Sequence, residues 1–207
     1  GNLDGALGSY RKALKYAGDD PDILYEIANV LVKKGRLPEA RAELEKALAA
    51  DEGHTRSRYL LAGILAASGE REKALVEYGR VLKEDPENDD AYLHIATLHA
   101  ERGEFSQAEE VLGALIARDP DSHLAYYYRG RILAARKKFD EALTDYDKAL
   151  SMAPGFDAAL LESGAVLEIL GRNAEAEERY RKALHSSPNN PFIRERLGRL
   201  LIREKKI

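Results

Sequence analysis

"FDEALTDYDKALSMAP" (Phe139–Pro154) and "NAEAEERYRKALHSSP" (Asn173–Pro188) spell nearly the same sixteen residues 34 positions apart. The alanine of the first stretch, Ala142, belongs to a series at the same step: Ala6, Ala40, Ala74, Ala108, Ala142 and Ala176. Four residues on stand Tyr10, Leu44, Tyr78, Leu112, Tyr146 and Tyr180, large each time, and three further Ala13, Ala47, Val81, Leu115, Ala149 and Ala183. Five residues before the alanine come Gly1, Gly35, Gly69, Gly103, Lys137 and Gly171; twelve after it, Gly18, Glu52, Pro86, Pro120, Pro154 and Pro188. A fixed period of this length is the sequence signature of a repeat architecture.

Each period reads as two helices, because apolar residues recur at spacings of three and four. "HLAYYYRGRILAARK" (His123–Lys137) forms the first helix and "FDEALTDYDKALSMA" (Phe139–Ala153) the second. Glycine between them suits a helix C-cap, where φ is often positive, and proline at the period's end stops the second helix. The alanine series marks where paired helices approach closely, and the tyrosine or leucine one turn on fills the gap. A second small series, Ala28, Ala62, Ala96, Gly130, Gly164 and Gly198, lies in the first helix. Glycine inside a helix costs about 1 kcal/mol against alanine, so three in register imply that packing demands a small residue there. Where Lys137 replaces glycine, the turn is expected to be helical rather than left-handed.

These residues resemble the tetratricopeptide repeat, a 34-residue helix–turn–helix unit, over the whole chain. The resemblance implies an all-α fold, an α-solenoid wound as a right-handed superhelix. It reads as a single array over 1–207: a second helix over 1–20, full units over 21–54, 55–88, 89–122, 123–156 and 157–190, and a terminal first helix over 191–207. The regular, cysteine-free units point to a chain of bacterial or archaeal type. Tryptophan, frequent early in the family's unit, is absent; Leu24, Arg58, Tyr92, Tyr126, Leu160 and Arg194 stand there.

Composition narrows the function. The 207 residues are 44% hydrophobic and 33% charged with net charge −4, against the basic surplus of a nucleic-acid binder. Cysteine is absent. The longest run free of Asp, Glu, Lys and Arg is Tyr59–Gly69, too short to span a bilayer, which needs about 20 residues. Cytoplasm is the expected location, with periplasm the alternative if a signal sequence has been removed. His94 and His99 are five apart, not at the i, i+4 spacing of a helical zinc pair, so no metal is expected. His99 falls at a packing position and is expected to be a buried or half-buried neutral histidine whose protonation destabilises the fold. Paired carboxylates such as Asp89–Asp90 and Glu177–Glu178 read as solvated helix faces, and no nucleophile motif or phosphate loop appears. No catalysis and no cofactor are expected.

In the family, first helices line a concave groove. The resemblance therefore implies a groove row of Tyr25, Tyr59, Leu93, Tyr127 and Leu161, an adjacent row of Glu26, Leu60, His94, Tyr128 and Glu162, and Asn29, Gly63, Thr97, Arg131 and Ala165 one turn on. Asn29 alone and no lysine in the first row argue against the carboxylate clamp found in some members. Tyrosine offers contact area, low entropy loss and a polar tip. The expectation is a non-catalytic scaffold holding a peptide or helix of a protein partner in this groove. The alternative is a substrate-recruiting module of a larger enzyme, since the register begins and ends within a unit. The same incomplete end units allow head-to-tail self-association.

Overall fold

The first helix of each of the five full periods ends in the same left-handed turn. The computed structural model describes residues 2–205; Gly1, Lys206 and Ile207 lie outside the described residues. Gly35, Gly69, Gly103, Lys137 and Gly171 have φ of 71, 80, 75, 61 and 73°. At each, the next residue's N–H reaches back to a carbonyl five residues earlier: Arg36 to Leu31, Glu70 to Leu65, Glu104 to His99, Lys138 to Leu133 and Arg172 to Leu167, all at 2.9 Å. The left-handed residue's own N–H bonds to the carbonyl three back, as Lys137 does to Ala134 at 2.9 Å. This bond pair is the Schellman motif. It corrects the expectation for Lys137: the two backbone bonds impose the left-handed conformation although a side chain is present.

Twelve helices and no strand are found among the described residues. They are α1 (Leu3–Ala17), α2 (Pro21–Lys33), α3 (Leu37–Ala50), α4 (Thr55–Ala67), α5 (Arg71–Glu84), α6 (Asp89–Glu101), α7 (Phe105–Arg118), α8 (His123–Ala135), α9 (Phe139–Met152), α10 (Asp157–Ile169), α11 (Asn173–Ser186) and α12 (Pro191–Arg203). The fold is an all-α helical repeat. Several first helices open on a side-chain cap: Asp20 accepts from Ile23 N at 3.0 Å, Ser122 from Ala125 N at 3.4 Å, and Asn190 from Phe192 N at 3.0 Å. Second helices from α3 onward enter straight from the left-handed turn with no such cap.

The chain divides into two compact units, Gly1–Leu98 and His99–Ile207. In the first, α2 pairs with α3 and α4 with α5, and the first helices α2 and α4 touch. In the second, α8 pairs with α9 and α10 with α11, flanked by α7 and α12. Ala40, Ala74, Ala108, Ala142 and Ala176 are all fully buried, whereas Ala6 is half-buried. The core of the second unit joins Leu133, Ala142, Tyr146, Leu167, Ala176 and Tyr180.

The small series of the first helices has a steric cause. A Cβ at Gly130 would lie 2.8 Å from Tyr146 Cε1, and one at Gly164 would lie 2.4 Å from Tyr180 Cε1. At Gly198 nothing lies within 4 Å. In the α4/α5 hairpin fully buried Ala62 stands in this series, and Tyr78 stacks on His94 at 5.0 Å.

Two ion pairs are built into the packing. Arg58, at the position where the family often has tryptophan, is 5% exposed and bonds Glu77 at 2.7 Å. Asp145, also 5% exposed, accepts two bonds from Arg129 at 2.7 and 2.8 Å. His99 is half-buried as expected, but its Nδ1 lies 2.7 Å from Glu104 Oε2. That hydrogen bond chiefly holds the Glu104 carboxyl below its ordinary range.

Lys137→Gly is expected to stabilise the protein by about 0.5–1 kcal/mol, relief of the left-handed strain outweighing glycine's entropy in the unfolded chain; an unchanged or lower chemical-denaturation midpoint would contradict the assignment. Gly164→Ala is expected to cost about 1–3 kcal/mol by overpacking. Gly198→Ala should be neutral or stabilising by up to about 1 kcal/mol. Equal midpoint shifts for the two would sink the steric explanation.

Candidate functional site

The first helices of each unit carry the predicted row, and helical spacing decides what each side chain meets. In the first unit Tyr25 on α2 is half-buried, and its ring face is already covered: the Arg56 guanidinium sits 4.2 Å above the ring centre, with His54 edge-on at 6.2 Å. Arg56 is fixed there by Asp22 and Glu26, both at 3.3 Å. Asn29, one turn on, is half-buried.

Tyr59 on α4 is half-buried and meets two rings, Tyr78 edge-on at 5.5 Å and His94 at 5.8 Å. Burial pushes the Tyr59 hydroxyl pKa up, with the Asp90 carboxylate adding to the effect. His94 is exposed along one side but lies flat on buried Tyr78, and this partial loss of water lowers its pKa. Leu60 is half-buried, whereas Leu93 is buried, which withdraws it from the surface row. The Thr97 hydroxyl donates to its own helix at Leu93 O, 2.8 Å away.

In the second unit Tyr127 and Tyr128 meet edge-on at 5.3 Å, both half-buried. Tyr127 also leans on Phe156 at 4.9 Å and on buried Tyr146 at 6.2 Å. Arg131, exposed, stands one turn on with its guanidinium carbon 5.8 Å from each of the two tyrosine ring centres. Burial raises the Tyr127 hydroxyl pKa, partly opposed by Arg131. Leu161 on α10 is half-buried and packs against the core.

The structure thus gathers Tyr59 and His94 into one aromatic cluster and Tyr127, Tyr128 and Arg131 into another. Asn29 and Leu60 join neither cluster through any ring or charge contact. Tyr78, Tyr146 and Phe156 lie outside the predicted rows yet floor the two clusters. The sequence signal for the two tyrosines is tyrosine rather than leucine four residues after the alanine series; Phe156, just ahead of α10, has no such signal. Exposed large apolar side chains also occur off these rows, at Tyr16, Val76, Ile169, Phe192 and Ile202.

No group of three or more His, Cys, Asp or Glu among the described residues could hold a metal ion. Among the described residues no helix is long and apolar enough to cross a membrane.

The sequence matches tetratricopeptide repeat models over residues 1–64, 65–131 and 123–156. No curated protein gives a significant match. Among solved structures, YrrB, described as a TPR protein with an unusual peptide-binding site, is 21% identical with a TM-score of 0.67, covering 98% of this chain and 100% of its own. A tetratricopeptide repeat protein from Parabacteroides merdae is 23% identical with a TM-score of 0.74, covering 91% of this chain and 75% of its own. A thermophilic TPR protein of Thermus thermophilus is 22% identical with a TM-score of 0.69, covering 88% of this chain and 99% of its own. At these identities the likeness is one of fold. The repeat models span well over half of the residues, and the chain belongs to the tetratricopeptide repeat family.

Proposed function

We infer that this protein is a non-catalytic scaffold whose first-helix aromatic clusters bind a peptide or helical segment of a partner protein. The observation that carries the reading is the pair of half-buried tyrosines Tyr127 and Tyr128 with exposed Arg131 beside them. Aromatic area of this kind comes with little entropy to lose, and the hydroxyls and guanidinium give direction to a bound chain. In the first unit Tyr59 and His94 over buried Tyr78 offer a second amphipathic surface. Tetratricopeptide repeats as a family are protein-interaction scaffolds, and the structural relative YrrB carries a peptide-binding site. Formal charge on the predicted rows supports a protein segment over nucleic acid: Glu26 and Glu162 against Arg131 alone.

Site-specific photo-cross-linking tests this. A benzophenone side chain is placed at Leu60 or Tyr128, and at Val76 on α5 as the control, and adducts are read by mass spectrometry from source cells. The expected result is one partner captured at Leu60 and Tyr128 but not at Val76. Capture from Val76 alone would move the working surface to the second helices.

A further inference from the structure

Most arginines of the chain are paired with carboxylates, and Arg131 differs from them by standing beside aromatic rings. Arg36, Arg41, Arg56, Arg58, Arg129, Arg136, Arg172 and Arg203 all hold carboxylates at 2.6–3.3 Å. Arg131 has no carboxylate partner among the described residues; it rests against two tyrosine rings instead. Cation–π attraction to those rings and a hydrogen bond to the Tyr127 hydroxyl hold the guanidinium, and its remaining N–H donors meet no carboxylate among the described residues. Beneath them the Tyr146 hydroxyl is fully buried and bonds to nothing among the described residues. The opposite charge on this face is Glu162, exposed on α10 and without an ion-pair partner among the described residues. It reaches Tyr127 and Tyr146 only electrostatically, whereas Arg131 also donates a hydrogen bond to the Tyr127 hydroxyl.

We propose that Tyr127, Tyr128 and Arg131 form a subsite for one carboxylate-bearing side chain of the bound segment, an aspartate or glutamate flanked by apolar residues. This rests on the groove reading given above and adds the chemistry of the ligand. A guanidinium presents a planar fork that matches a carboxylate, and the two tyrosines supply apolar walls for the neighbouring side chains. A single free cation balances a single negative charge. Glu162 works against a second one, so the site takes a carboxylate rather than a dianion. The subsite differs from a clamp built of lysines and asparagines on several helices, because its one cation is held by aromatic faces.

Two end-capped peptides of serine and leucine, one with a central glutamate and the other with glutamine there, are titrated by calorimetry. The proteins are the wild-type chain, Arg131→Gln and Glu162→Gln. Thermal melts check that the variants fold, which the exposure of both residues favours. The wild type is expected to bind the glutamate peptide about two- to fivefold tighter than its twin, the range of an exposed ion pair. The preference should vanish in Arg131→Gln and widen in Glu162→Gln. Equal affinity for both peptides in the wild type, or a preference that survives Arg131→Gln, overturns the subsite while leaving the groove reading intact. Failure of both peptides to bind overturns the groove reading, and the subsite with it.

Discussion

The close approach of two helices at a pair of small residues is the constraint on which everything else depends. In the hairpins α2/α3, α4/α5, α8/α9 and α10/α11 the second helix carries a fully buried alanine, and the first helix answers with alanine or glycine. Where the second helix adds tyrosine one turn on, as at Tyr146 and Tyr180, even a methyl group on the first helix would collide with the ring. Interiors packed to this density transmit such a clash instead of absorbing it. The hairpin is therefore specified by a small–large exchange between helices, repeated at one register. The left-handed turn with its two backbone bonds fixes the angle at which each pair starts.

The same exchange shapes the surface. A tyrosine long enough to cross the hairpin reaches the row of the first helices from behind. Tyr78 meets Tyr59 and His94, and Tyr146 meets Tyr127. Core and first-helix surface are thus continuous, with half-buried rings resting on buried ones. The pair Arg58–Glu77 belongs to the same economy: a charge at a packing position is tolerated because its carboxylate partner sits within hydrogen-bond reach.

Much of this was legible from spacing. The period, the buried alanines and the small first-helix series follow from steric rules acting on neighbouring residues. Lys137 defied its side chain because Schellman bonding acts on the backbone and tolerates the cost of a left-handed lysine. His99 was legible as half-buried, but its partner Glu104 lies across the turn and gives it a charge to bond. The rows implied by the family resemblance placed Leu93 beside Tyr59, yet small rotations of a helix decide between core and surface, and Leu93 falls inside. The stacking of His94 on Tyr78 and the capping of Tyr25 by Arg56 join different helices, and periodicity within one helix carries no trace of them.

The most direct test of the small–large exchange is a double-mutant cycle between Gly164→Ala and Tyr180→Leu, followed by chemical denaturation. The α2/α3 hairpin already carries alanine and leucine at the corresponding positions, Ala28 and Leu44, both fully buried. If the ring is what excludes the methyl group, Gly164→Ala is destabilising beside Tyr180 and harmless beside leucine, with a coupling energy of about 1–2 kcal/mol. Additive effects, with the same penalty in both backgrounds, would show that glycine serves some other need and that the hairpins are not held by this exchange.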